Sequence, residues 1–137
     1  MDEQEVRQRI GNSGFQEFLG LQVEAVESGR VEFTIPYHDG LDRGAGDLVH
    51  GGVLASVLDI AATYAVMSAV DTPVPTVDMR IDYLRPATHA ELTVIGEIVR
   101  IGGTIAVSQA EVHQQRDGET KQIALARNVL STAHVDS

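Results

Sequence analysis

In VEFTIPY, Val31, Phe33, Ile35 and Tyr37 alternate with Glu32, Thr34 and Pro36, the two-residue period of a strand with one buried face. The preceding LQVEAVE (Leu21–Glu27) reads as its partner, with Ser28-Gly29 as the turn. Four longer segments also read as strands: VPTVDMRIDYLRPA (Val74–Ala87), ELTVIGEIVRI (Glu91–Ile101), TIAVSQAEVHQQ (Thr104–Gln115) and ETKQIALARNVLST (Glu119–Thr132). Gly102-Gly103 and Asp117-Gly118 between them are two-residue hairpin signals of the primed kind, so these strands are antiparallel neighbours. Ahead of them, Asp2 to Phe18 has helical composition with few apolar anchors, which predicts one short amphipathic helix over about 2–19, ending near Gly20. HDGLDRGAGD (His38–Asp47) is a Gly- and Asp-rich loop.

The most apolar segment is LVHGGVLASVLDIAATYAVMSAV (Leu48–Val70), which predicts a helix over about 50–70 stopped by Pro73 and Pro75. Its polar members Ser56, Asp59 and Thr63 fall at i, i+3 and i+7, one narrow stripe on an otherwise apolar cylinder. A helix apolar nearly all round is a buried one. The pattern therefore predicts an α+β domain spanning 1–137, in which a strongly curved antiparallel sheet of about five to six strands wraps one long central helix.

At 137 residues the chain suits one compact domain. Asp and Glu outnumber Lys and Arg by 20 to 10 and no basic run occurs, which argues against sequence-independent nucleic-acid binding. The absence of cysteine excludes disulfides, Cys-based metal sites and thiol nucleophiles. MDEQEVRQR is charged where a secretory signal needs an apolar stretch, which favours the cytoplasm. Uncharged runs fall short of the roughly 20 residues of a membrane span. His38, His50, His89, His113 and His134 show no i, i+3 or i, i+4 pairing, and no nucleophile elbow, P-loop or dinucleotide fingerprint is present, so cofactor- and metal-free chemistry is expected.

Asp59 is the sharpest candidate, because a carboxylate inside an apolar helix is costly unless hydrogen-bonded or placed at a wet cavity. The bland reading is a structural Asp satisfied by backbone or arginine. His50-Gly51-Gly52 opens the same helix, where free N–H groups and the helix dipole can polarise a carbonyl. A Gly-rich cap that only turns the chain would look the same. Asp59 follows His50 by nine residues, about two and a half turns, so the helix end and the carboxylate lie on different faces. A neighbouring subunit could supply the missing face.

HGG, an acid nine positions beyond its His, and VDMRIDYLRPA together resemble the hotdog-fold acyl-CoA thioesterases of the phenylacetate-pathway (PaaI-like) group, over about Phe15 to Ser131. Tyr83–Ala87 (YLRPA) and an Asp in place of Glu add to the likeness with that group. The resemblance implies sheets joined edge to edge in a homodimer, itself able to pair into a homotetramer, with active sites at the dimer interface. It implies Asp59 as nucleophile or general base, the Gly51 N–H as oxyanion donor and His50 as the residue orienting that loop. Thr76, or alternatively Thr63, would position water or the partner subunit's carboxylate.

Where relatives carry an Asn or Gln six residues before the motif His, this chain has Gly44. Arg80, Arg85, Arg100 and Arg127 are the candidate contacts for coenzyme A phosphates, ordinary surface charge being the alternative for each. Leu54, Leu58, Tyr64 and Met67 are the expected acyl-pocket lining. Two further functions compete with thioester hydrolysis: a non-catalytic acyl-CoA binding or sensing protein, and a hotdog hydratase or dehydratase, for which no suitable His–acid pair is found.

Overall fold

The computed structural model describes residues 1–133; His134 lies outside the described residues. Helices α1 (Glu3–Gly11) and α2 (Gly14–Leu19) precede the hairpin β1 (Gln22–Glu27) and β2 (Arg30–Ile35). The long helix α3 (Gly51–Val70) follows, then β3 (Thr76–Tyr83), β4 (Leu92–Ile101), β5 (Ile105–Arg116) and β6 (Glu119–Ser131). All strands pair antiparallel in one sheet of order β1-β2-β4-β5-β6-β3, with α3 packed along its inner face. This is the antiparallel sheet around one long helix expected from the pattern, and the hotdog architecture that the resemblance implies.

Small residues decide how closely helix and sheet approach. Gly96, Ala110 and Ala126 are cross-strand neighbours on β4, β5 and β6, and form a shallow trough under α3. A methyl group at Gly96 would overlap the carbonyl oxygen of Ala61 and lie 2.5 Å from its carbonyl carbon. Around this contact the larger side chains Val57, Leu58, Phe33, Leu92, Ile123 and Leu130 are fully buried.

Three expectations are corrected. The N-terminal segment is two helices: Asp2 and Glu5 form a capping box at the start of α1, and Ser13 caps α2 by accepting from the Gln16 amide at 3.2 Å. Gly11, Asn12 and Gly14 are poor helix formers, and Ser13 is a better cap than an interior residue, so the chain restarts there. Gly20 ends α2 in the left-handed conformation, as expected. Asp117-Gly118 is a primed turn with both residues at positive φ (53° and 80°), but the β4–β5 connection spans residues 102–104 and neither Gly102 nor Gly103 has positive φ. Finally, α3 is not enclosed on every side. Gly52 is exposed and Ser56, Asp59, Ile60 and Thr63 are half-buried, so the polar stripe marks a face that the chain's own sheet leaves open. α3 has the length and mean hydropathy (20 residues, 1.8) of a membrane span, but half of it is buried as the core of the sheet.

Replacing Gly96 by Ala should lower folding stability by about 2–3 kcal/mol, because neither backbone can retreat from the contact. Urea unfolding measures this; an unchanged midpoint would show that the trough does not set the spacing of helix and sheet.

Candidate active site

Asp59 sits midway along the open face of α3, and two side chains from the sheet reach one of its oxygens. Thr76 Oγ1 donates to Asp59 Oδ1 at 2.7 Å, and Asn128 Nδ2 donates to the same oxygen at 2.7 Å. Among the described residues Asp59 Oδ2 accepts nothing. One oxygen is thus pinned while the other keeps its lone pairs for a reacting group. Thr63 Oγ1 lies 3.5 Å from Thr76 Oγ1, so both candidate threonines belong to one cluster. Within the chain, Thr76 meets the carboxylate of its own Asp59.

A β-bulge produces this geometry. Thr76 pairs with Leu130 and Asp78 with Val129, leaving Val77 as the extra residue of β3. Leu130 and Asn128 face α3, so Thr76 and Met79, three residues apart, both point inward. Without the extra residue, Thr76 would face away from Asp59.

Asn128 escapes a reading of the sequence. It is fully buried and lies 69 positions from Asp59, in a strand whose alternation says only that it points inward. Its Oδ1 finds no partner among the described residues. A buried amide half satisfied in this way costs about 1–3 kcal/mol, which fits a residue held for its contact with Asp59 rather than for stability.

The start of α3 forms a second centre. His50 caps the helix, its Nδ1 accepting from the Gly52 amide at 2.8 Å, and its carbonyl accepts from the Val53 amide at 2.9 Å. The Gly51 N–H has no acceptor among the described residues, while the Gly51 carbonyl accepts from the Tyr83 hydroxyl at 3.2 Å. Gly51 lies in a cavity of about 300 Å³ with Arg43 and Arg85. Asp59 lies in another, of about 370 Å³, which has no lining residue in common with the first. The two centres of one chain therefore open to different spaces. A larger depression of about 620 Å³ between α1, α2 and β1 contains none of the candidate residues.

Gly44 has φ +95° with open space around it, and its amide donates to Asp42 Oδ2 at 2.7 Å. The other Asp42 oxygen lies 2.6 Å from His89 Nε2, whose ring stacks on Tyr37 at 4.1 Å. The His89 hydrogen bond, and then that of Gly44, hold the Asp42 carboxyl below the usual carboxylate range. Position 44 offers the helix start no side chain; Arg43, which was not anticipated, lines the Gly51 cavity, its Nε donating to the Ala45 carbonyl at 2.7 Å.

The four anticipated arginines separate. Arg80 and Arg127 are cross-strand neighbours on the outer face of the sheet, with Arg80 3.4 Å from Asp82. Arg85 lines the Gly51 cavity, its Nη1 donating to the Gln122 carbonyl at 2.7 Å, and Arg100 lies near the β4–β5 turn. Tyr64 and Met67 line the Asp59 cavity, whereas Leu54 lines the Gly51 cavity and Leu58 is fully buried in the core. Leu58 points into the sheet, while Leu54, one turn nearer the helix start, borders the Gly51 cavity and not the Asp59 cavity. Among the described residues no three His, Asp or Glu side chains group as a metal site.

From the loop before α3 into β6, residues 46–121, more than half of the chain, match the thioesterase superfamily. The chain belongs to that superfamily. A relative from Halobacterium salinarum is 35% identical over 132 residues, covering 89% of this chain and 86% of that one. The crystal structure of a thioesterase family protein from Silicibacter pomeroyi superposes with a TM-score of 0.85 at 31% identity, covering 93% of this chain and 95% of that one. The E. coli PaaI protein from the phenylacetic acid degradation operon gives a TM-score of 0.83 at 25% identity, covering 93% of this chain and 90% of that one. The hotdog resemblance read from HGG, Asp59 and YLRPA is borne out, and thioester hydrolysis is the chemistry this thioesterase performs.

If Asn128 positions the carboxylate, Asn128→Leu should reduce kcat for thioester hydrolysis about tenfold or more, with KM little changed and stability within about 1 kcal/mol of wild type. A kcat equal to wild type would assign Asn128 a packing role only.

Proposed function

We propose that the protein is an acyl-CoA thioesterase in which Asp59 Oδ2 is the reacting oxygen and each active site is shared by two subunits. The observation that carries this reading is the asymmetric anchoring of Asp59: both hydrogen bonds fall on Oδ1, so Oδ2 is oriented yet unengaged. The acyl-CoA substrate class is supported by the E. coli K12 protein named medium/long-chain acyl-CoA thioesterase YigI, 27% identical over 117 residues, which cover 74% of this chain and 76% of that one.

In the general-base route, Oδ2 takes a proton from water as the water oxygen bonds to the thioester carbonyl carbon. The carbonyl oxygen becomes an oxyanion and accepts from the Gly51 N–H. When the intermediate collapses, the C–S bond breaks and coenzyme A leaves with the proton held by Asp59. In the nucleophilic route, Oδ2 itself bonds to the carbon, the thiolate leaves, and water then cleaves the mixed anhydride. Both routes use the same oxygen. Thr76 and Asn128 hold it in place, Thr63 supports Thr76, and the His50 cap presents the Gly51 amide.

Two features favour a shared site. Asp59 and Gly51 open to separate cavities, and β3 is a sheet edge whose outer side is unpaired. Pairing β3 with β3 of a second copy about a twofold axis would extend the sheet and bring each open face of α3 to the other subunit. Arg43 and Arg85 beside Gly51 would then lie next to the thioester, suited to the anionic part of coenzyme A. Pairing of such dimers into a tetramer is compatible with this arrangement. Gly44 supports the second reading, acyl-CoA binding without turnover, because no amide side chain stands there.

Thiol release from acyl-CoAs is a clean assay, since the protein has no cysteine. Asp59→Asn should reduce release about 10³-fold while leaving folding and substrate binding in place. Wild-type protein that binds acyl-CoA tightly and releases no thiol would select the binding reading.

A further inference from the structure

The cavity beside Asp59 is chemically divided. Its walls are apolar at Ile60, Met67, Pro73, Val74 and Pro75, but Arg9, Gln16 and Tyr64 place a polar cluster in it. Tyr64 follows Asp59 by five residues, about 7.5 Å along the axis of α3, and α1 and α2 bring Arg9 and Gln16 to it.

The charged group of this cluster, Arg9, is donor-only. The buried Tyr64 hydroxyl donates to Gln16 Oε1 at 2.7 Å, which engages one lone pair of that oxygen and orients the Nε2 hydrogens to donate elsewhere. Burial raises the Tyr64 phenol above its ordinary value, so it stays a neutral donor to Gln16. Arg9, exposed in the last turn of α1, makes no ion pair among the described residues, and Asp59 is the only carboxylate lining the cavity. Beyond an apolar stretch the cavity thus offers the guanidinium of Arg9, which also faces the Tyr64 hydroxyl, and the amide hydrogens of Gln16. A methyl terminus placed there would cover these donors and replace none of their hydration, whereas an acceptor-only group would engage them.

We infer that the acyl group this cavity selects carries a carboxylate at its far end, making the substrate an ω-carboxyacyl thioester of medium length. This rests on the thioesterase reading and adds the substrate class. The guanidinium of Arg9 can grip a carboxylate through two parallel hydrogen bonds, with the Gln16 amide as a third donor. The apolar walls take the methylene chain between that carboxylate and the thioester carbonyl at Asp59.

The test compares kcat/KM by thiol release for three CoA thioesters of equal chain length, in a series from six to ten carbons: the ω-carboxyacyl, its ω-methyl ester and the methyl-terminated acyl. Wild type should prefer the ω-carboxyl form about tenfold over either neutral form. Arg9→Gln should bring that ratio close to one, Arg9→Lys should keep part of it, and added salt should lower it in wild type. A methyl ester used as well as the free acid would show that any acceptor suffices and would overturn the carboxylate assignment. So would a ratio that survives Arg9→Gln. Release from methyl-terminated thioesters without ω-carboxyl preference would overturn this inference and leave the thioesterase reading standing; no release from any thioester would overturn both.

Discussion

Everything in this molecule depends on how closely α3 can lie against the sheet. Gly96, Ala110 and Ala126 remove side-chain bulk from three adjacent strands, so the helix backbone touches the strand backbone at Ala61. Only at that spacing can a side chain as short as Asn128, one inward position along β6 from Ala126, reach a carboxylate on α3. The trough in the core and the hydrogen bond in the site are one geometric fact. A bulkier trough would cost packing energy and would also lift Asp59 away from its anchors.

The site is built from contrasts in constraint. Asp59 has one oxygen tied to Thr76 and Asn128 and one left open; the helix start has Gly52 tied to the His50 ring and Gly51 left open. In both places a neighbouring bond removes freedom from the backbone or side chain without occupying the atom that would react. Such preorganisation lets a carboxylate or an amide act without rearranging at the moment of reaction. The two reactive atoms nevertheless face separate cavities within one chain. On the proposed reading a second copy completes the catalytic centre, docking at the edge strand β3 and the half-exposed stripe of α3.

Much of this was legible in the sequence, because the dominant signals are local. Alternation locates the six strands within a few residues, the apolar run locates α3, and the offset between His50 and Asp59 already separates the two centres onto different faces. What was not legible depends on partners distant in sequence. Asn128 is one polar residue in a strand, and its role follows from the β6–β3 register and the Val77 bulge, neither of which leaves a compositional trace. Leu58 shares the helix with Asp59 but its face belongs to the sheet, and Leu54 borders the Gly51 cavity instead of the Asp59 cavity. The break in the N-terminal helix and the three-residue β4–β5 connection are differences of local capping and turn geometry, where Ser13 and the Gly102-Gly103 pair each permit more than one outcome.

The central claim is that Asp59 of one subunit works with Gly51 of another, and subunit mixing tests it directly. Gly51→Pro deletes the Gly51 N–H at the first helical position, where proline is tolerated and His50 already has the extended backbone that proline requires. Alone, Gly51→Pro and Asp59→Asn should each be inactive. Unfolded and refolded together in equal amounts, they should recover about a quarter of wild-type thiol release, because half of the dimers are mixed and each mixed dimer holds one intact site. No recovery in mixed dimers that form normally would mean that the carboxylate and the amide act within one chain, and would contradict the account.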